Sequence, residues 1–286
     1  NEEKLFRHSF YGDCYLVDTQ KNTRTKISEK PVRDAQISPN GKYVVYAKKD
    51  HNLYIYKIDF KTEVAITSDG AMGDEVMKPK AGDVYNGISD WLYEEEFGVT
   101  GLFAFSPDSK QVAFVRLNEK QVPTFEWQTF LGDEAMRLYP ELHSLRYPKA
   151  GEANATAEVC VYDIHYKTTR TMQLPEAMNG YVPRIRWTAL TKPTKKDEQP
   201  TCDLVLLHLN RDQNVMDVLK GNPKSTVCYP FYKEESKKYF VSYEYFDEWQ
   251  WLSDNRVIVL SEKSGYAQAY MYSSQGIEQK LLTPGK

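Results

Sequence analysis

Cysteine is scarce. The four present, Cys14, Cys160, Cys202 and Cys228, show no C-x-x-C spacing and no clustering with the five histidines, which argues against a zinc site. Cys14, Cys160 and Cys202 adjoin strand-like residues and are expected as buried thiols. No charge of one sign prevails: 37 basic residues face 40 acidic ones, a net charge of −3, so nothing global attracts nucleic acid or an anionic membrane. No apolar run approaches the ~20 residues of a membrane-spanning helix. Residues 1–5 are polar and lack the pattern of a signal peptide. The chain opens without methionine and closes on a strand that runs into a turn (281–286), so both ends are expected to be cuts in a longer protein. No metal or other cofactor is implied.

Aromatic residues, by contrast, make up 13% of the chain, with 21 tyrosines, while 15 glycines and 14 prolines supply frequent turns. That mixture suits a pleated, half-buried surface and favours β structure. Residues 43–47 (Tyr-Val-Val-Tyr-Ala) and 53–58 (Leu-Tyr-Ile-Tyr-Lys-Ile) bracket a polar turn, which is a hairpin signal. Before them stands Ile37-Ser38-Pro39-Asn40-Gly41-Lys42, and the pattern recurs at Phe105-Ser106-Pro107-Asp108-Ser109-Lys110. A degenerate copy is Trp251-Leu252-Ser253-Asp254-Asn255-Arg256. An apolar-Ser-Pro turn followed by an apolar strand suits the first hairpin of a propeller blade, a four-stranded meander. The copies lie further apart than the roughly 40–50 residues of common propeller repeats, so insertions must separate them. An ordinary β-sandwich with common turns is the competing reading. Two segments interrupt the strands, an acidic aromatic stretch over 83–98 and a Pro- and aromatic-rich one over 119–151. The polar stretch 191–201, with Lys192, Lys195, Lys196, Asp197 and Glu198, is expected as a solvated hairpin loop.

The acidic stretch reads as a helix of about two turns near residues 90–97. Ser89 or Asp90 can cap its start, and Ile88 can staple to Tyr93 if Ser89 is the cap. Gly98 can end it in the left-handed conformation. Glu94, Glu95 and Glu96 sit in the carboxyl-terminal half, where the macrodipole favours cations, and they repel one another. A charge run of this kind is ordinarily a solvated face. It can also do chemistry. Successive helical residues diverge by ~100°, so two adjacent glutamates can approach one small cation from two sides. A primary ammonium offers three donors and a carboxylate only accepts.

Asp90-Trp91-Leu92-Tyr93-Glu94-Glu95-Glu96 resembles the D-W-[VL]-Y-E-E-E segment of the dipeptidyl peptidase IV family, within the prolyl oligopeptidase clan. Three weaker matches flank it in the family's order: Phe6-Arg7-His8-Ser9-Phe10, Tyr147-Pro148-Lys149-Ala150-Gly151 and Ser261-Glu262-Lys263-Ser264-Gly265-Tyr266. Gln268 stands where the family commonly has histidine, and residues 184–245 hold no segment that aligns with it. The resemblance implies an all-β fold, part of an eight-bladed β-propeller, that fills 1–286 and caps an α/β-hydrolase domain absent from this chain.

It further implies that Glu95 and Glu96 bind the free α-ammonium of a peptide substrate and that Arg7 points toward the substrate's backbone carbonyl. Glu94, Tyr93 and Asp90 would support them. No G-x-S-x-G nucleophile elbow occurs in the 286 residues, so no catalytic residue is assigned. The implied activity is that of a post-proline (Xaa-Pro or Xaa-Ala) dipeptidyl aminopeptidase, a serine exopeptidase, with a prolyl tripeptidyl peptidase or a non-enzymatic protein-binding propeller as alternatives. Expected partners are peptides with a free amino terminus, the hydrolase domain and a second copy in a homodimer, in an extracytoplasmic compartment.

Overall fold

The Ser-Pro turn has the same hydrogen bonding in both full copies. Ser38 Oγ accepts from the backbone N–H groups of Lys42 and Tyr43 at 3.2 and 3.0 Å and donates to Asn40 Oδ1 at 2.8 Å. Ser106 Oγ accepts from Lys110 and Gln111 at 3.2 and 2.9 Å and donates to Asp108 Oδ1 at 2.7 Å. A left-handed residue completes each turn, Gly41 at φ 69° and Ser109 at φ 58°. In the degenerate copy Asp254 Oδ1 takes the Arg256 N–H at 3.1 Å and Asn255 has φ 62°. The hydroxyl or carboxylate thus replaces a backbone acceptor at the point where the chain reverses.

The computed structural model describes residues 2–70, 84–130, 138–175, 180–191, 193 and 199–285. It divides into two units, Asn1–Leu102 with Val115–Ala157, and Phe103–Phe114 with Glu158–Lys286. In the first, β1 (Glu2–Lys4) pairs with β2 (Phe10–Gly12), and β3 (Tyr15–Asp18) with β4 (Thr23–Lys26). A four-stranded antiparallel sheet follows, β5 (Arg33–Ile37), β6 (Tyr43–Ala47), β7 (Leu53–Lys57) and β8 (Thr62–Ala65), in chain order. Val44, Tyr46 and Tyr56 of this sheet form a core with Ile27 and Val32. Next come β9 (Val84–Asn86) and the helix α1 (Trp91–Phe97).

In the second unit β10 (Phe103–Phe105) pairs with the first half of β11 (Gln111–Asn118). The last residues of β11, Arg116 to Asn118, return to the first unit and pair with β9. The stretch read from sequence as an irregular insertion is itself a two-stranded ribbon, β12 (Thr124–Thr129) against β13 (Glu141–Arg146). Polar and apolar residues alternate along β12, which suits that pairing. The second unit continues with β14 (Thr156–Asp163) and β15 (Thr168–Thr171). It then builds two full sheets: β16 (Gly180–Trp187), β17 (Leu204–Asn210), β18 (Val215–Gly221) and β19 (Cys228–Glu235), and β20 (Gln250–Trp251), β21 (Val257–Ser261), β22 (Gln268–Tyr272) and β23 (Glu278–Leu281). Leu204 to Leu207 are fully buried, and Tyr232 meets Trp249 and Tyr272 edge-on at 5.1 and 5.3 Å.

Strand order follows chain order in the three four-stranded sheets, β5–β8, β16–β19 and β20–β23. That is the up-and-down meander of a propeller blade, and not the crossed order of a Greek-key sandwich. The fold is the all-β propeller class that the family resemblance implied, with one short α-helix inserted among the described residues.

One local expectation changes. Cys160 and Cys228 are the buried thiols, while Cys14 and Cys202 are half-buried, and all four are free. Cys228 sits against Gly221 in the neighbouring strand, which the sequence around it does not betray. Burial pushes the Cys202 and Cys228 thiols up to about 12 and about 11. The polar loop is pinched at its base, where the Thr191 N–H donates to the Thr201 carbonyl at 2.8 Å; Lys192, Lys195, Lys196, Asp197 and Glu198 lie outside the described residues.

Candidate functional site

The helix is extruded through a neck that glycine makes possible. Gly87 N–H donates to the Val115 carbonyl at 2.8 Å and Leu102 N–H to the Gly87 carbonyl at 2.7 Å, so residues 88–101 leave the sheet and return at one point. Gly87 has φ 67°, and a Cβ there would lie 2.7 Å from Leu53 Cδ1. No other residue fits.

Asp90 caps α1. Its Oδ1 accepts the Tyr93 N–H at 2.8 Å, from an extended backbone at φ −76° and ψ −177°. Ser89 is occupied elsewhere, donating its N–H to the Thr100 carbonyl at 2.9 Å and accepting from Arg33 on its Oγ at 3.2 Å. The Ile88–Tyr93 staple, which required a Ser89 cap, therefore does not form; with Asp90 at the cap the stapling position falls on Glu94. Gly98 ends the helix at φ 60°, as its sequence position suggested.

The three glutamates have three different surroundings. Glu94 is buried, 1% exposed, and its Oε1 accepts the backbone N–H groups of His8 and Ser9 at 2.7 and 2.9 Å. It thereby ties the tip of the β1–β2 hairpin to the helix. Arg7 sits on that tip, and its guanidinium meets Glu95 in a two-pronged pair, Nε to Oε2 at 2.9 Å and Nη2 to Oε1 at 2.7 Å. Arg7 is 66% exposed and Glu95 28%. The hydrogen bond and charge of Arg7 hold the Glu95 carboxyl below its ordinary value, and Glu95 raises Arg7 in return. Glu96 is exposed. Of the three, then, only Glu96 fits the description of a solvated acidic face.

Beneath the helix, Tyr93 is buried and meets Phe97 edge-on at 5.4 Å, while Trp91 packs on Tyr147 at 4.8 Å. The Tyr147-Pro148-Lys149 segment thus reaches the helix from the far end of the ribbon. Asp90 is 3% exposed, and burial pushes its carboxyl up to about 6, against the opposing pull of the Tyr93 N–H and of a hydrogen bond to the Glu119 side chain. Glu119, itself 4% exposed, and Arg33, 2% exposed, are supports that the sequence reading missed. A lone acid at the end of the apolar run of β11 was the available signal for Glu119.

Arg7 and Glu95 are therefore brought together, Glu96 lies on the same helix, and Glu94, Tyr93 and Asp90 are buried supports. A carboxylate has about four lone-pair sites and Arg7 uses two of those on Glu95. The Glu95 carboxylate therefore retains acceptor capacity beside its arginine partner.

Meanders of up-and-down strands with an acidic helix inserted between β9 and β10 define the class: an all-β propeller segment. All of residues 1–286 match the family model described as the dipeptidyl peptidase IV N-terminal region, and the chain belongs to that family. It is 33% identical over 186 residues to a probable dipeptidyl-aminopeptidase B of Aspergillus niger, covering 61% of this chain and 19% of that protein. A second probable dipeptidyl-aminopeptidase B, from Emericella nidulans, is 28% identical over 224 residues, or 73% of this chain and 24% of the relative. The crystal structure of Porphyromonas gingivalis dipeptidyl peptidase 4 superposes with a TM-score of 0.83 at 32% identity, over 100% of this chain and 37% of that one. The chain spans about a fifth to a quarter of the length of these curated relatives.

Proposed function

We propose that this segment is the part of a dipeptidyl aminopeptidase that recognises the substrate's free amino terminus, with Glu95 and Glu96 holding the α-ammonium. The observation that carries the reading is the Glu95 carboxylate, locked in place by Arg7 yet retaining free lone pairs beside exposed Glu96. A fixed carboxylate binds a cation without first losing side-chain freedom. Arg7 has two functions in this reading: it orients Glu95, and its remaining donors reach toward a substrate carbonyl. The nucleophile comes from an α/β-hydrolase domain of the full-length protein. Clamping the ammonium at a set distance from that nucleophile restricts cleavage to the second peptide bond, since two extended residues span only ~7 Å.

The test is the pair Glu95→Gln and Glu96→Gln in the full-length protein, assayed on Gly-Pro and Ala-Pro chromogenic substrates. Each change keeps shape and removes one charge-assisted contact, so kcat/KM falls roughly tenfold to a hundredfold. The double variant loses more on free-amine substrates than on N-blocked ones. Activity on free-amine substrates that stays within about twofold in the double variant overturns the reading.

A further inference from the structure

Five rings follow one another from the β12–β13 ribbon to α1. His143 stacks on Trp127, its partner across the ribbon, at 5.4 Å, and Trp127 on Phe125 at 6.3 Å, with interplanar angles of 22° and 20°. Phe125 meets Tyr147 at 6.0 Å and 48°, and Tyr147 meets Trp91 at 4.8 Å and 41°. The Lys149 ammonium lies over the Phe125 ring at 5.1 Å. Aromatic pairs at such spacings attract beyond the area they bury. The period of two along β12 places Phe125 and Trp127 on one face of the ribbon. Phe125 is 43% exposed, and Trp127 and Tyr147 are half-buried, so filling a core does not account for the stack.

The base of the ribbon fixes where the Tyr147 ring stands. Tyr147 N–H donates to the Pro123 carbonyl at 2.9 Å, and Arg146 Nη1 donates to the Val122 carbonyl at 2.8 Å. Pro148 favours extended backbone at Tyr147. At the other end of the stack, Trp91 is the first residue of α1. Glu95 lies four positions further on and shares its face of the helix. A helix of seven residues is too short to hold its shape alone in water, so its orientation is set by what it packs against. The bonds from His8 and Ser9 to Glu94 tie its middle, and the Tyr147 ring meets its start.

We propose that Tyr147 is a positioning residue for α1: braced by Phe125 and Trp127 of the ribbon, its ring seats Trp91 and so sets the direction of Glu95 and Glu96. Tyr147 acts through Trp91 and not on the substrate. The ribbon thereby reaches the acidic helix from a distance, each ring acting through the next. The effect on turnover rests on the amine-clamp reading above; the bracing of the helix does not.

The experiment has two readouts, both in the full-length protein. Amide hydrogen exchange over residues 91–97, followed by mass spectrometry, reports the bracing without any substrate. Tyr147→Ala speeds that exchange about tenfold or more, Phe125→Ala about threefold, and Tyr147→Phe, which keeps the ring, leaves it within about twofold of the parent. Unchanged exchange in Tyr147→Ala overturns the proposal, as does a Tyr147→Phe variant as fast as Tyr147→Ala; unchanged exchange in Phe125→Ala overturns the ribbon's part in it. The second readout is kinetics on a free-amine dipeptide substrate, where Tyr147→Ala raises KM about fivefold or more, leaves kcat within about threefold, and Tyr147→Phe restores the parent values. Joining Tyr147→Ala to Trp91→Leu costs no more than the larger single change, because both act through one contact; additive costs overturn the route through Trp91. Faster exchange with unchanged KM leaves the bracing standing and overturns the clamp. Should Tyr147→Ala fail to fold, Tyr147→Leu and the exposed Phe125→Ala decide in its place.

Discussion

Glu94, Glu95 and Glu96 are chemically identical and adjacent, yet one is buried as an acceptor of two backbone N–H groups, one is paired with an arginine and one meets solvent. Removing the first is expected to be the costliest for stability. Glu94→Ala leaves the His8 and Ser9 N–H groups without their acceptor, a loss of about 2–4 kcal/mol in chemical denaturation. Because it also frees the hairpin tip that carries Arg7, it slows turnover of the full-length protein in the same direction as Arg7→Ala. Asp90 gives a prediction in pH. Its folded carboxyl is raised to about 6 from an ordinary 3.8, so between those values the folded chain keeps a proton that the unfolded chain has lost. Its contribution to stability is therefore full below about pH 4 and lost as pH rises through about 6, on the order of 2–3 kcal/mol. Asp90→Asn cannot titrate and keeps a capping oxygen. Comparing urea midpoints of parent and variant across pH 4–7 should show that fall in the parent and its absence in the variant.

At the scale of elements, two left-handed glycines bracket the helix and do different work. Gly98 has open space where a Cβ would go, so Gly98→Ala meets only backbone strain, about 1 kcal/mol. Gly87 combines φ 67° with a Leu53 methyl 2.7 Å from the would-be Cβ, and Leu53 is fully buried. Gly87→Ala should cost about 2–4 kcal/mol, from strain and overpacking together. Denaturation of the two variants side by side checks the order. If Gly98→Ala proved the worse, the neck at Gly87 would not be the constraint that extrudes the helix.

For the whole protein, the proposed ammonium clamp at fixed reach makes product length the diagnostic. A full-length protein carrying this segment should release dipeptides from free-amine peptides with proline or alanine in second place, and should release nothing from the N-acetylated forms. Mass spectrometry of the products settles the register, since tripeptide release would require a clamp displaced by one residue.

How much of this was legible beforehand differs by feature. The Ser-Pro-Asn/Asp turns, the strands that follow them, the helix with its Gly98 stop and the family resemblance were all written locally, because capping, turn chemistry and alternation act over a few residues. Composition and turns left propeller and sandwich both open. The order in which strands pair is a long-range property, and only the structure decided it. The same holds for the site. The run Glu94-Glu95-Glu96 marked the helix as a candidate site, but which carboxylate is buried and which meets Arg7 depends on residues 7–9, far away in sequence. Local chemistry named the candidates; burial and distance, which exist only once the chain has folded, assigned each of them its partner.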